Sequence, residues 1–160
     1  MVSPRLADML VRQIQSELTA HQNYMGISIY FERGALKGWG KLFHEQALEE
    51  AQHAAKIIRF LLDNDVEFDL PGLGPATTHY EDARAAVQSA AASERRVTTE
   101  FQAMAEAASD EKDFRTFQFL QWFIEEQVEE EAKMKDLTDL IDSGINLFQA
   151  EGVLSQLEGE

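Results

Sequence analysis

Helix-breaking residues are confined to a few places in this chain, and those places decide what it can fold into. Ser3 followed by Pro4 reads as an N-cap with proline at the first helical position, opening a helix A that runs to about Glu32. The turn "RGALKG", with Gly34 and Gly38, leads into a helix B over residues 38–64. A stretch holding Pro71, Gly72, Gly74 and Pro75 follows. "THYE" then reads as a capping box, Thr78 with Glu81, for a helix C over residues 79–108. "SDEKD" is a brief link with Ser109 or Asp110 as cap, and helix D covers residues 111–142 before Gly144 stops it. "INLFQAEGVLSQL" reads as a short fifth helix. The abundance of Ala, Glu, Leu and Gln between the breakers favours helix throughout.

Loop lengths set the topology. A to B and C to D are tight connections, so each pair is an antiparallel hairpin. The link from Asp65 to Glu81 spans at most about 55–60 Å when extended, against roughly 40 Å for a helix the length of B. It can therefore traverse a bundle and start helix C at the far end. The expected fold is all-α: one four-helix bundle, residues 1–160, with a long B–C crossover and a short C-terminal helix.

Twenty-nine acidic residues against 14 basic ones leave a net charge of −15. That balance argues against nucleic acid, which demands clustered Lys and Arg, and suits cations. Without cysteine the chain has no disulfide, thiolate zinc site or iron–sulfur cluster. It has no apolar run long enough to span a membrane and no secretory signal pattern at Met1–Leu10, so a soluble, cytoplasmic protein is expected.

The seams that should pack inward carry a conflict. Helix A presents Leu10, Ile14, Glu17, His21, Tyr24, Ser28 and Phe31, and helix B presents Trp39, Phe43, Gln46, Glu50, His53, Ile57 and Phe60. Helix C offers Val87, Ala90, Glu94, Val97 and Phe101. Helix D offers Phe117, Leu120, Ile124, Gln127, Glu130 or Glu131, Met134 and Ile141. Helix midpoints fall at about residues 18, 51, 94 and 127, so Glu17, Glu50 with His53, Glu94, and Gln127 with Glu130 meet at one level of the core. Buried carboxylates are tolerated when a cation compensates them. Glu50 and His53, at i and i+3, can share one ion with Glu17, while Glu94 and Glu130 supply a second site bridged by Glu50. Carboxylates with one imidazole suit iron or manganese. His21 reads as a core histidine with one hydrogen bond, and His44 and His79 as partly exposed. The acid run "EEQVEEE" is either a solvated face or a third, weaker cation site near Glu49, Glu126 and Glu129.

In combination, Glu17 with Tyr24, "EEAQH", the Glu94 of "SERRV" and "FLQWFIEEQVEEE" resemble the non-haem bacterial ferritins over essentially the whole chain. The resemblance implies a di-iron ferroxidase centre: Glu17, Glu50 and His53 at the first iron, and Glu50, Glu94 and Glu130 at the second, with Gln127 beside it. It also implies a third iron site from Glu49, Glu126, Glu129 and Glu130. Tyr24 corresponds to a tyrosine able to take part in electron transfer, and Trp122 to a nearby aromatic. Bacterioferritins carry a second E-x-x-H on helix D and a haem-binding methionine just before the helix B histidine. Here those positions are Gln127, Glu130 and Gln52, so haem is not expected.

The activity implied is oxidation of Fe2+ by dioxygen or peroxide and storage of the ferric product in a homo-oligomeric shell of twenty-four subunits. The short fifth helix would line its four-fold axes or pack back on its own subunit. The alternative is another di-iron carboxylate bundle enzyme, of peroxidase or oxygenase type. Rubrerythrin-like peroxidases usually add a cysteine-rich segment that is missing here.

Overall fold

In the computed structural model, which describes residues 1–157, four long helices form the bundle: α1 (Pro4–Arg33), α2 (Lys37–Asp63), α3 (Ala83–Asp110) and α4 (Phe114–Asp142). Two single-turn helices follow, α5 (Leu147–Ala150) and α6 (Leu154–Leu157). Among the described residues no helix is long and apolar enough to cross a membrane.

Local chemistry sets the ends. Ser3 Oγ accepts from Leu6 N at 3.1 Å with Pro4 behind it, the expected start of α1. The expected start of α3 is corrected: its cap is Asp82, whose Oδ1 accepts from Ala85 N at 2.7 Å. Thr78 is unavailable as a cap because the Arg33 guanidinium donates to its carbonyl at 3.0 Å and to its hydroxyl at 2.8 Å. Likewise α3 runs through Asp110, and α4 is capped by Asp113, which accepts from Thr116 N at 3.0 Å.

The crossover runs the length of α1. At its middle Gln15 Nε2 donates to the Gly72 carbonyl at 2.8 Å, and near its end Arg33 holds Thr78. Between them the backbone of Thr77 presses onto Gly26, where a Cβ would sit 2.1 Å from the Thr77 carbonyl oxygen. Only glycine permits that approach.

The C-terminal segment packs back on its own subunit rather than forming one helix. Asn146 caps the first turn, and the chain then bends so that the Glu151 carboxylate reaches the N-terminus of α2. There it accepts from Gly38 N and, at 3.0 Å, from Trp39 N. Leu36 gives α2 no side-chain cap, so this distant acid supplies it. Trp39 Nε1 donates to the Leu147 carbonyl at 3.0 Å, and Ala150 and Leu154 are buried.

The core is divided. One apolar cluster contains Tyr24, Ile27, Phe31, Trp39, Phe43, Val87 and Leu137, and the other Leu6, Leu10, Ile57, Leu61, Phe101 and Phe123. Along every long helix the buried residues between those clusters are polar, including Glu17, Glu50, Glu94 and Glu130.

Candidate metal centre

Glu17 from α1, Glu50 and His53 from α2, Glu94 from α3 and Glu130 from α4 are each no more than 4% exposed. The structure brings them together as two groups. Ligand atoms of Glu17, Glu50 and His53 lie within 4.8 Å of one another, and so do those of Glu50, Glu94 and Glu130. Glu50 belongs to both, as the spacing on α2 implies. Of the two candidates on α4, Glu130 is the buried one and Glu131 turns to Thr98, whose hydroxyl donates to it at 2.7 Å.

Each carboxylate is held from behind. Gln13 Nε2 donates to Glu17 Oε1 at 3.1 Å, and Gln46 Nε2 donates to Glu50 Oε1 at 3.2 Å and to Glu130 Oε2 at 2.5 Å. Tyr24 Oη donates to Glu94 Oε1 at 2.5 Å, and Gln127 Nε2 donates to Glu94 Oε2 at 3.0 Å. Tyr24 and Gln127 therefore both touch the second group. His53 is wedged edge-on against Trp122, ring centroids 5.4 Å apart, and Lys56 Nζ sits 3.4 Å from the centroid of the Trp122 ring.

Among the described residues two buried side-chain atoms lack any hydrogen-bond partner: Glu17 Oε2 and His53 Nδ1. They face each other at 3.7 Å, and Nδ1 lies 3.3 Å from Glu50 Oε2. Orphaned buried acceptors and an imidazole nitrogen converging on one point are costly in a bundle and are what a cation would satisfy. The donor set fits a hard or borderline divalent ion.

Without an ion the centre holds protons. Burial pushes the Glu50 carboxyl up to about 7 despite the attraction of His53. Burial and the charge of Glu50 push Glu94 up to about 7. Burial and Glu94 also raise Glu130 well above the carboxylate range. Burial draws the His53 imidazole down, but Glu17 and Glu50 outweigh it and the net shift is upward. Tyr24 is raised by burial and by Glu94, so its phenol stays protonated. A metal ion entering this centre displaces protons from carboxyls and imidazole, so its affinity rises with pH.

A third group joins Glu49 and Glu126, both half-buried, to Glu130. Glu129 stands outside it and is exposed. His21 makes the single hydrogen bond expected of it, from Nδ1 to the Ala47 carbonyl at 2.7 Å. The supporting glutamine Gln13 escaped the sequence reading, although it precedes Glu17 by four residues just as Gln46 precedes Glu50. Lys133, whose ammonium donates to Gln46 Oε1 at 3.1 Å, was also missed.

Known proteins resemble this chain in sequence and fold. Residues 7–143 match the family model described as the ferritin-like domain. A ferritin BfrB of Mycolicibacterium smegmatis is 41% identical over 145 residues, covering 90% of this chain and 80% of the relative. A bacterial non-heme ferritin of Staphylococcus aureus is 30% identical over 132 residues, covering 82% of this chain and 80% of the relative. Among solved structures, an open-pore ferritin from the hyperthermophilic archaeon Archaeoglobus fulgidus superposes with a TM-score of 0.92 at 29% identity, covering 99% of this chain and 98% of that one. With the family model covering most of its length and relatives of this similarity, the chain belongs to the ferritin family.

Proposed function

We propose that this protein stores iron: it oxidises Fe2+ at the mid-bundle centre and holds the ferric product as a mineral inside a cytoplasmic shell of its own subunits, twenty-four in number. The observation that carries this reading is the pair of buried groups sharing Glu50, with Glu17 Oε2 and His53 Nδ1 left unpartnered. The ferritin names of its relatives support it from a separate direction.

Iron is the substrate. Glu17, Glu50 and His53 bind one Fe2+, and Glu50, Glu94 and Glu130 the other, so residues of four helices set the distance between the ions. Each ion gives up one electron. Dioxygen takes both, with two protons, to leave hydrogen peroxide; peroxide as oxidant takes both, with two protons, to leave two waters. Tyr24 Oη and Gln127 Nε2 hold the two oxygens of Glu94 and so aim the second-ion ligand. The Tyr24 phenol, hydrogen-bonded to Glu94, is an oxidisable side chain beside the ligands of the second ion. Glu49, Glu126 and Glu130 form a third, more exposed cation site on the way out, with Glu129 at its edge.

Aerobic Fe2+ addition, well beyond two ions per chain, tests the reading when ferric absorbance and particle mass are followed for the natural protein and Glu50→Ala. Rapid oxidation that depends on Glu50 and yields a large iron-filled particle is expected. Oxidation that stops near two irons per chain in a small particle would make the protein a di-iron enzyme instead.

A further inference from the structure

Lys133 lies on α4 one turn beyond Glu130 and is half-buried. Its ammonium donates to Gln46 Oε1 at 3.1 Å, while the Gln46 amide nitrogen donates to Glu130 Oε2 at 2.5 Å and Glu50 Oε1 at 3.2 Å. A primary amide has one accepting end and one donating end. A cation at its oxygen therefore dictates that the donating end faces the carboxylates. Gln46 is 1% exposed, so this amide has no water to turn toward.

The charge is also placed to one side. Lys133 follows Glu130 by three residues on α4 and so lies on the same side of that helix as the Glu130 carboxylate. Gln46 lies one turn of α2 before Glu50 and His53 one turn after it, so the lysine stands at the end of the centre away from the Glu17–His53 pair. The two groups that share Glu50 thus differ in a way their ligands alone do not show. In the Glu17 group the basic side chain is His53, itself a member of the ligand set; beside the Glu130 group it is Lys133, whose ammonium is engaged by the Gln46 amide and lies outside the ligand set.

We propose that Lys133, acting through Gln46, is a positioning residue that keeps cation binding weaker at Glu50–Glu94–Glu130 and at the adjoining Glu49–Glu126–Glu130 cluster than at Glu17–Glu50–His53. The proposal rests on the metal-centre reading above. Its consequence is an order of filling: the Glu17 group takes the first ion, and ions on the Glu130 side are held loosely enough to move on. With an amide and a carboxylate between them, the ammonium stands on the order of 8 Å from such an ion, and a unit charge at that distance alters a divalent ion's affinity on the order of tenfold even at the dielectric of water.

The test is calorimetric titration of the metal-free, assembled protein with Zn2+, which undergoes no redox change, at fixed pH and ionic strength. The natural protein, Lys133→Gln and Lys133→Arg are compared. In Lys133→Gln the weaker steps tighten on the order of tenfold while the first stays put, and Lys133→Arg, which keeps the charge, titrates like the natural protein. Weaker steps that do not move in Lys133→Gln, a first step that moves equally, or an arginine variant that behaves like the glutamine one would each overturn the proposal. If the natural protein binds two ions and any of these occurs, only this inference falls. If it binds none at the centre, the metal-centre reading falls with it.

Discussion

Replacing Glu94 by glutamine should stabilise the metal-free protein at alkaline pH, although it removes a proposed ligand. The carboxyl is buried and its pKa rises from 4.5 to about 7, chiefly through burial and then the charge of Glu50. Between these values the folded chain binds a proton that the unfolded chain has released, so stability falls as pH rises. The loss is absent below about pH 4.5 and complete above about pH 7. At about 1.4 kcal/mol per pH unit it reaches roughly 3 kcal/mol. Glutamine mimics the protonated acid and fits the site. Its oxygen can accept from Gln127 Nε2, now 3.0 Å from Glu94 Oε2, and its amide can donate to Tyr24 Oη on the other side. The variant should therefore match the natural protein near pH 4.5 and unfold about 6–12 °C higher at pH 8 in the presence of a chelator. Adding Zn2+ at pH 8 should reverse the order, because only the natural protein keeps the full second ligand set. Thermal unfolding followed by circular dichroism at matched subunit concentration reads all three. A glutamine variant that melts at or below the natural protein at pH 8 would refute the idea that a strained, proton-holding carboxylate sits at this position.

Gly26→Ala should cost roughly 1–3 kcal/mol, because the new methyl meets the Thr77 carbonyl and lifts the crossover from α1. Denaturant unfolding gives the loss, and faster proteolysis between residues 66 and 80 locates it. Glu151→Ala leaves the α2 terminus without a cap and should lower stability by about 1 kcal/mol, read as a fall of about 2–4 °C in Tm. Glu126→Ala should abolish the weakest step of a metal titration, whereas Glu129→Ala should leave it in place, since only Glu126 joins Glu49 and Glu130. Equal effects from the two would contradict the assignment by burial.

The centre was legible in the sequence because helical periodicity forces Glu17, Glu50, His53, Glu94 and Glu130 onto inward seams, and a bundle sets helix midpoints at one level. The crossover followed from loop length. The start of α3 did not, since Thr78 satisfies a capping pattern locally and loses to Arg33, a residue distant in sequence. The C-terminal bend is hidden for the same reason: Glu151 is drawn to the α2 amides, a contact that no local pattern encodes. Lys133 is one basic residue in an acidic stretch, and only the structure turns it toward Gln46. Glu129 sits in the same acid run as Glu126 and Glu130, and which members of such a run share a face with Glu49 depends on how α2 and α4 are rotated against each other.

The central claim is that two adjacent ions are held inside the bundle and share Glu50. Crystals soaked with Fe2+ under anaerobic conditions and measured at the iron absorption edge test it directly. The account predicts two anomalous peaks between the two halves of the core, one among Glu17, Glu50 and His53 and one among Glu50, Glu94 and Glu130. Iron found only on the exposed acids, with no peak beside Glu50, would contradict it.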